Sequence, residues 1–485
     1  MKIVLVNPPR DHELVGNNPP LIDEERGFNP PLGLLYLASS ILDKTSHEVE
    51  VIDAQAEDLD YPALKSRLEA ARPEVVGVTA MTFTLLDALA VIRLAKEISG
   101  EIVTVVGGIH AFLYPEETAA LDGVDFVLQG EGELSFVSLL EEVSLRRKPE
   151  TVPGVVFQRD GAIVRGTPPS LIQNLDELPF PARRLTPWQR YSSVLSRRSP
   201  ITTMFTSRGC PYRCSFCSRP HLGKVFRYRH PANVVDEMQA CQEMGINEIL
   251  FYDDTFSVNR PRVIDICREI VGRGLKIGWD IRARVDCVDE ETLAHLKRAN
   301  CQRIHYGIEA GTEKILKVLN KGITLEQARN AVSLTKRAGI QTLAYFMIGS
   351  PTENREDVKK TLDFALELDP DFVHITITTP FPATEIYRRG LREGLFKTDH
   401  WLEFARDPRT DFSPPYWNEN FSDLELQNLL RNAYRRFYSR PRFIIKELFQ
   451  SRSFSALFSR ARTGWKILTM KKDVAQRGKT VIRNP

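Results

Sequence analysis

Three cysteines near the middle of the chain have a spacing that suits metal chemistry. Cys210, Cys214 and Cys217 lie four and three residues apart, in a short segment that follows a predicted strand. Thiolates are preferred ligands of soft metals and of iron–sulfur clusters. A compact loop with three thiolates can hold three irons of a [4Fe–4S] cubane and leave the fourth iron open to bind a small molecule, as catalytic metal sites do.

Two other interpretations of this cysteine loop stay open at the level of sequence. A structural zinc ion normally takes four closed ligands, and His221 would supply the fourth. The thiols could also be unrelated buried side chains, although three of only seven cysteines fall within eight residues. The other four are far apart and are expected to be small buried side chains: Cys241, Cys267, Cys287 and Cys301.

The cysteine loop opens a series of strands that alternate with helical patterns. Six strands are predicted, near residues 202–206, 248–252, 277–283, 303–308, 342–347 and 373–378. Six such units predict a partial parallel (β/α)6 barrel within residues 196–422, although an open sheet would give the same pattern. The barrel would place the cysteine loop at the carboxyl end of its first strand.

Residues 1–146 show the same alternation, with five short apolar strands, and the fold class is therefore α/β. The pattern predicts a doubly wound, Rossmann-like parallel sheet that binds a ligand at the carboxyl ends of its strands. Residues 147–195 are predicted to be a linker with a hairpin around Asp160-Gly161. Residues 423–485 are predicted to be a helical C-terminal region.

Polar residues and glycines recur where strands of the second series end. Carboxylates there can accept hydrogen bonds from an ammonium group or a ribose hydroxyl, and glycine lets a ligand approach the backbone. Arg282 and Arg284, on or just past the third strand, could bind a carboxylate or pair with Asp280 or Asp286. The other strand-end residues are Tyr252, Asp253, Asp254, Glu309 and Gly349.

The spacing Cys210-x3-Cys214-x2-Cys217, with Phe216 directly before the third cysteine, resembles the signature of the radical S-adenosylmethionine (SAM) superfamily. The resemblance implies that the three cysteines hold a [4Fe–4S] cluster and that the open iron binds SAM. It also implies the partial barrel fold. By the same resemblance, contacts with SAM are expected from Phe216, Tyr252, Asp253, Asp254, Arg284, Glu309 and Gly349.

Glycines and small polar residues also recur at the strand ends of the first series. Each segment alone is typical of an ordinary turn, but together they would let a large flat ligand approach the edge of the sheet. The set resembles the cobalamin-binding domain that precedes the barrel in one subclass of the radical SAM superfamily. The residues expected at cobalamin are Pro31, Leu32, Gly33, Thr79, Met81, Thr82, Gly107, Gly108, His110, Gly130, Glu131, Gly132 and Glu133.

The axial ligand of this cobalamin is not expected to be a histidine. The Asp-x-His-x-x-Gly motif of other cobalamin proteins does not occur, and Asp11-His12 has the wrong spacing for it. Base-off cobalamin is therefore expected, with Thr79–Thr82 near its lower face and His110 as a hydrogen-bonding residue. The first strand is not followed by G-x-G-x-x-G, which disfavours a dinucleotide.

The resemblance implies an enzyme that reductively cleaves SAM to a 5′-deoxyadenosyl radical, which abstracts hydrogen from an unactivated carbon. C-methylation, ring closure or rearrangement of a lipid, isoprenoid, tetrapyrrole or other secondary metabolite would follow. The expected electron donor is a flavodoxin or a ferredoxin-type protein. One alternative is a radical SAM enzyme without cobalamin, such as a methylthiotransferase, for which extra cysteines before Cys210 would be expected. The other is a zinc-stabilised, cobalamin-responsive binding protein.

The C-terminal tail is basic, although the formal net charge of the whole chain is only +2. From Arg431 onward the chain has 15 Lys or Arg and 2 Asp or Glu, and apolar residues follow helical spacing between Phe454 and Leu468. Such a helix predicts peripheral contact with an anionic membrane surface or packing on the enzyme's own acidic body. Nucleic acid binding is disfavoured. Without a signal-peptide pattern or a membrane-spanning apolar run, the expected location is the cytoplasm or the inner face of the membrane.

Overall fold

The computed structural model describes residues 1–14, 27–196, 198–441 and 443. The strands are β1 (Lys2–Asn7), β2 (Gly27–Phe28), β3 (Glu48–Asp53), β4 (Val75–Thr79), β5 (Val103–Gly107), β6 (Phe126–Leu128), β7 (Val155–Arg159), β8 (Ala162–Arg165), β9 (Ser192–Ser193), β10 (Ile201–Met204), β11 (Ser207–Arg208), β12 (Arg227–Tyr228), β13 (Glu248–Phe251), β14 (Gly278–Ala283), β15 (Cys301–Glu309), β16 (Gln341–Ile348) and β17 (Phe372–Ile377).

The helices cover the faces of two parallel sheets and the end of the second one. They are α1 (Leu32–Lys44), α2 (Ala54–Glu57), α3 (Tyr61–Ala71), α4 (Leu85–Ile98), α5 (Ile109–Leu113), α6 (Pro115–Ala119), α7 (Gly132–Ser144), α8 (Pro231–Glu243), α9 (Arg260–Gly272), α10 (Glu290–Arg298), α11 (Glu313–Val318), α12 (Leu325–Arg337), α13 (Arg355–Leu368), α14 (Glu385–Arg392), α15 (His400–Arg406) and α16 (Asp423–Tyr438).

The first sheet has the strand order β3-β1-β4-β5-β6-β7-β8, and its first five strands are parallel. Strand β1 is apolar throughout because both of its faces are covered. Ile3 and Leu5 pack with α1 and α7, whereas Val4 and Val6 pack with α3 and α4. Helices therefore lie on both faces, and the predicted doubly wound sheet is confirmed.

The hairpin predicted in the linker forms, but it belongs to the first sheet. Its turn uses Asp160 and Gly161, both with positive φ, and its strand β7 pairs antiparallel with β6. The sheet therefore continues past residue 146, where the sequence pattern of alternating helices stops. The physical reason is that β6 would otherwise leave an unpaired edge of backbone groups, which the hairpin satisfies.

The second sheet has the order β10-β13-β14-β15-β16-β17, is parallel throughout and curls into a half-barrel. All six predicted strands are present. Along β15, Ile304, Tyr306 and Ile308 pack outward against the helices, whereas Arg303 and His305 alternate with them and face the lumen. The half-barrel thus combines an apolar outer core with a polar interior.

Helix α16 covers the end strand of the half-barrel. The hydroxyl of Tyr434 accepts a hydrogen bond from the N–H of Ile375 and donates one to its carbonyl, both at 3.1 Å. This pairing protects the backbone of β17 as a neighbouring strand would. The basic segment between Phe454 and Leu468, with its expected membrane contact, lies outside the described residues. Within the residues that the structure does describe, no helix is long and apolar enough to cross a membrane.

Candidate active site

The cysteine loop is held at its middle by hydrogen bonds from two separate parts of the chain. The N–H of Ser215 donates to the carbonyl of Leu319, and the carbonyl of Ser215 accepts from the N–H of Ile386, both at 2.9 Å. The side-chain amide of Asn320 donates to the carbonyl of Arg213 at 2.7 Å. The loop backbone is therefore fixed, while the thiols of Cys210, Cys214 and Cys217 remain partly or fully exposed.

The three thiols are the predicted ligands of a cluster, and the structure does not arrange them as a site for a single ion. In the described part of the chain, no three His, Cys, Asp or Glu side chains are grouped as one metal ion requires, so Cys210, Cys214, Cys217 and His221 do not form the closed zinc site. In a cubane each cysteine binds a different iron, and the sulfurs need not meet at one point. Partial burial raises the pKa of the Cys214 thiol, so metal binding would displace its proton.

The adjacent carboxylates Asp253 and Asp254, both predicted to contact SAM, have different environments. Asp253 is fully buried and accepts hydrogen bonds from the N–H of Thr206 at 2.6 Å and from the hydroxyls of Thr206 and Ser207 at 2.5 Å. Its carboxylate therefore anchors the backbone that leads into the cysteine loop. Asp254 forms an ion pair with Arg219, and its buried Oδ2 has no hydrogen-bond partner among the described residues. Asp254 thus keeps one carboxylate oxygen without a partner in the described part of the chain, whereas both oxygens of Asp253 are bonded.

The two arginines near the end of β14, Arg282 and Arg284, also have different partners. Arg284 is buried and donates to both carboxylate oxygens of Asp286 at 2.9 and 3.0 Å, which is the ion pair left open by the sequence. Its guanidinium also stacks 3.8 Å from the ring of Tyr212. Arg282 is half-buried, lies 4.0 Å from the ring of Tyr252 and donates from Nη1 to the carbonyl of Phe251. Unlike Arg284, it has no carboxylate partner within salt-bridge distance among the described residues, so it suits a ligand carboxylate better.

Glu309 and Phe216 meet at a lysine beside the cysteine loop. Glu309 has a positive φ, and its carboxylate lies 2.8 Å from the ammonium of Lys321, with both side chains less than 10% exposed. That ammonium lies 5.6 Å from the centre of the Phe216 ring. Lys321 and Arg284 lower the pKa of Cys214 against the larger opposing effect of burial. Two ion pairs, Lys321 with Glu309 and Arg284 with Asp286, therefore lie near the Cys214 thiol.

Gly349, the last predicted SAM contact, is also a packing position. Its φ is +76°, and a Cβ there would lie 2.7 Å from Cδ2 of Leu426 in α16. Close approach of that helix is therefore one reason for the glycine. The segment that follows it contains Glu353, which is fully buried; its Oε2 accepts from the N–H of Ser350 at 2.8 Å, and its Oε1 has no partner among the described residues.

The buried carboxyl of Glu353 leads to a testable pH dependence. Burial raises the pKa of Glu353 to about 7, so the folded state holds a proton at pH values where the unfolded chain has lost it. Its stabilising contribution is complete below the unfolded pKa near 4.5 and is lost as pH rises through 7. Relative to the wild type, Glu353→Gln should therefore gain up to about 3 kcal/mol of unfolding free energy between pH 5 and pH 9. Urea unfolding at both pH values would measure this, and a pH-independent difference would contradict it.

The lumen of the half-barrel contains functional candidates that the sequence reasoning did not single out. His305 contacts Asp280 through Nε2 at 3.1 Å and the hydroxyl of Tyr345 through Nδ1 at 2.9 Å. Arg303 pairs with Asp280 at 2.8 Å, and the ring of His374 packs 5.5 Å from that of Tyr345. The sequence signal for these lumen residues is the alternation of polar and apolar residues along the strands. The apolar residues pack against the helices outside, so the polar residues between them face the lumen.

At the first sheet, two neighbouring strand ends form a close-packed edge. Gly108 has a φ of +98°, and a Cβ there would lie 2.6 Å from the carbonyl oxygen of Ala80 and 2.9 Å from the hydroxyl of Thr79. His110 is buried; its Nδ1 contacts the hydroxyl of Thr82 at 3.2 Å, and its Nε2 has no partner among the described residues. Burial lowers the pKa of His110 to about 3, so the ring is neutral.

The surface of this edge is suited to contact with a large flat ligand. Gly107 and Thr79 are half-buried, and the side chain of Met81 is 49% exposed despite being apolar. A bound macrocycle could approach the glycine backbone at Gly108, cover the exposed methionine and hydrogen-bond the buried imidazole. The predicted cobalamin residues of β4 and β5 are therefore brought together.

The remaining predicted cobalamin residues lie at the junction of the two halves. In α1, Leu32 is buried beside Leu175 and Leu178 of the connector, Pro31 is half-buried and Gly33 is exposed. Gly130 and Gly132 approach Pro169 and Leu37. The carboxylates of Glu131 and Glu133 bind Arg208 of the second half, so their side chains do not point to an open edge.

Two family models match this chain, one for each of the two sheets. One, described as the radical SAM superfamily, matches residues 204–365, and the other, described as a B12 binding domain, matches residues 20–140. An uncharacterized methyltransferase from Pyrococcus horikoshii is 36% identical over 460 residues, which cover 94% of this chain and 96% of that protein. This chain belongs to the radical SAM superfamily, in the subclass with a B12-binding domain.

Membership of the radical SAM superfamily confirms the predicted enzyme class, methyltransferase or cyclase, and the predicted cofactors: an iron–sulfur cluster, SAM and cobalamin. Another relative, the anaerobic magnesium-protoporphyrin IX monomethyl ester cyclase of Rubrivivax gelatinosus, is 28% identical, over 84% of this chain and 74% of that protein. Among solved structures, the cobalamin-dependent SAM radical enzyme OxsB with aqua-cobalamin and SAM bound superposes with a TM-score of 0.71. The match has 20% identity and covers 95% of this chain and 70% of OxsB, which supports the fold.

Proposed function

We propose that this radical SAM enzyme transfers a methyl group to an unactivated carbon of a small molecule. The observation that carries the proposal is a contact between the helix that follows β5 and the segment that follows the third cysteine. Phe112 in α5, two residues after His110, has its ring 6.4 Å from that of His221, four residues after Cys217. A cluster on the loop and a cobalamin on the edge would therefore face one shared space, and the Pyrococcus horikoshii relative is named as a methyltransferase.

The roles that we propose for individual residues follow from their surroundings. Cys210, Cys214 and Cys217 would hold the cluster, and Phe216, the residue before the third cysteine, packs against the core of the half-barrel. Asp254, whose Oδ2 has no partner among the described residues, would orient the ammonium of SAM, and the half-buried Arg282 would orient its carboxylate. SAM and cobalamin supply the radical and the methyl group when bound, and the protein binds them, orients them and excludes water.

At the first sheet, we propose that the close-packed edge of β4 and β5 receives the cobalamin. Thr79, Met81 and Thr82 would lie beneath its lower face, and Gly107 and Gly108 would let it approach the backbone. His110 would use its unpaired Nε2 to bind the ligand as a neutral hydrogen-bonding group. No histidine is proposed as an axial ligand of cobalt, because the Asp-x-His-x-x-Gly motif does not occur in the sequence.

For the substrate, we propose a lipid, isoprenoid, tetrapyrrole or related secondary metabolite. The cyclase of Rubrivivax gelatinosus, whose name refers to a magnesium porphyrin ester, supports a tetrapyrrole and also supports ring closure as a second candidate reaction. A flavodoxin or ferredoxin-type protein is proposed as the electron donor. The strongly basic sequence after Arg431 supports a cytoplasmic enzyme that binds the inner membrane surface, where such apolar substrates dissolve.

The test is a reaction of the full chain, purified without oxygen and loaded with iron, sulfide and hydroxocobalamin. With SAM carrying a deuterated methyl group, a reductant and a lipid and pigment extract, a methyltransferase should form 5′-deoxyadenosine, S-adenosylhomocysteine and a labelled metabolite, all detected by mass spectrometry. Ring closure should form 5′-deoxyadenosine without a labelled metabolite. A protein that contains its full cluster and forms no 5′-deoxyadenosine would contradict the proposal.

A further inference from the structure

Glu131, at the end of β6, is the point where the first sheet is bonded to the cysteine loop. Its carboxylate accepts hydrogen bonds from Nη1 of Arg208 at 2.9 Å, from Nη1 and Nη2 of Arg227 at 2.8 and 3.0 Å, and from the N–H of Ile172 at 2.7 Å. The side chain of Glu131 is 1% exposed, and those of Arg208 and Arg227 are 8% and 4% exposed. One buried carboxylate thus receives bonds from three separate segments.

The two arginines stand at the two ends of the segment that carries all three cysteines. Arg208 and Arg227 are direct partners in the antiparallel pair of β11 and β12, and the chain between them contains Cys210, Cys214 and Cys217. Next to Arg208, Gly209 has a φ of +85°, and a Cβ there would lie 2.3 Å from the carbonyl oxygen of Val225. The two ends of the segment therefore lie close together. We call the paired residues Arg208 and Arg227 the neck of the loop, and Glu131 of the first domain binds it.

We propose that Glu131 is a positioning residue that couples the cobalamin-binding edge of the first sheet to the geometry of the cysteine loop. Strand β6 lies beside β5 in the sheet, so the backbone that leads to Glu131 is bonded to the strand that ends at Gly107. Movement of that edge when cobalamin binds is transmitted through one carboxylate to both strands of the neck. The inference rests on the proposed function, because it concerns two cofactors that act together.

The charges at the neck explain why the coupling needs a carboxylate. Burial alone would raise the pKa of Glu131, but Arg227 and Arg208 hold it below its usual range, so the group is ionised. Arg208 has a second acceptor in Glu133, whereas Glu131 is the carboxylate that binds Arg227. In Glu131→Gln, the amide would lose the negative charge and turn an NH2 group toward two guanidinium groups that can only donate. The neck would keep its shape and the contact of Arg208 with Glu133, but Arg227 would lose its ionic bond to the first domain.

A matched control exists in the same part of the fold. Glu237 in α8 is also a fully buried carboxylate held by two arginines, Arg183 and Arg229, but neither arginine lies within the neck pair. Glu237→Gln removes the same kind of ionic contact, and both variants should lower the melting temperature. Only Glu131→Gln should change the loop, and Glu131→Asp, which keeps the charge on a shorter side chain, should restore part of the coupling.

The experiment measures the rate of iron transfer from the reconstituted full-length protein to an iron chelator, with and without hydroxocobalamin. In the wild type, hydroxocobalamin should slow iron release at least about fivefold, since coupling between two sites acts on the stability of both. In Glu131→Gln the ratio of the two rates should fall toward one, and the electron paramagnetic resonance spectrum of the reduced cluster should respond less to cobalamin than that of the wild type. Glu237→Gln should keep the wild-type ratio.

The inference is overturned if Glu131→Gln keeps the wild-type ratio, or if hydroxocobalamin leaves iron release from the wild type unchanged. Optical spectra of the wild type establish first that both cofactors are bound, and their absence would count against the proposed function itself. If Glu131→Gln does not fold, Arg227→Lys replaces it, because lysine keeps the charge but cannot bridge two carboxylate oxygens. A wild-type ratio in that variant would equally overturn the inference.

Discussion

Replacing Cys214 with alanine is expected to remove the cluster and abolish 5′-deoxyadenosine formation. Cys214 is the central member of the three-cysteine loop, and two thiolates cannot hold a cubane that normally has three or four protein ligands. The loop itself should keep its backbone, because Ser215 is bonded to Leu319 and Ile386 without help from the thiols. Activity should fall by about 10³-fold or more, as for the loss of an essential catalytic group. Iron analysis and mass spectrometry of the reaction products would measure both effects.

Cys241→Ala is the matched control for this prediction. Cys241 is 1% exposed in the apolar core of the half-barrel, so its truncation should cost about 1 kcal/mol of unfolding free energy and leave iron content and activity intact. A Cys214→Ala protein that retained a full cluster and wild-type activity would show that the three cysteines are not the ligand set. Equal loss of activity in both variants would indicate a general effect of removing thiols.

The fold was predictable because its periodic patterns are strong and local. In the first sheet, a continuous apolar run such as Ile3–Val6 predicts a strand with both faces covered, and the structure places α1 and α7 on one face and α3 and α4 on the other. The hairpin around Asp160-Gly161 was also visible as a local signal. Its pairing with β6 was not, because nothing in the sequence of a hairpin says which edge it will extend.

The candidate site was predictable in position but only partly in role. Asp253 and Asp254 are adjacent carboxylates at one strand end. Both oxygens of Asp253 accept hydrogen bonds from Thr206 and Ser207, whereas Oδ2 of Asp254 has no partner among the described residues. Likewise, the sequence predicts Glu131 at the ligand-binding edge of the sheet. In the structure its carboxylate binds two arginines that lie 77 and 96 residues away in sequence. Residue type and strand position indicate where chemistry can occur, whereas tertiary partners decide which side chains are free to perform it.

Gly108→Ala is expected to lower the affinity for cobalamin by about tenfold or more. The φ of Gly108 is +98° with ψ of −174°, a region that is almost exclusive to glycine and costs other residues about 1–3 kcal/mol. The added methyl group would also lie 2.6 Å from the carbonyl oxygen of Ala80, which accepts a hydrogen bond from the N–H of His110. The ends of β4 and β5 must then separate, and each 1.4 kcal/mol of that distortion carried into binding is a tenfold loss.

Titration with hydroxocobalamin, followed by its visible absorption well below the melting temperature, separates this loss of binding from simple unfolding. Gly100→Ala is the control in the same domain, because a Cβ at Gly100 has no heavy atom within 4 Å, and its affinity should match the wild type. Iron content of Gly108→Ala should also be normal, since the cysteine loop is held by Leu319, Asn320 and Ile386 of the half-barrel. Wild-type affinity in Gly108→Ala would mean that cobalamin does not sit on the edge of β4 and β5, because no ligand in contact with that edge could ignore a displacement of both strand ends.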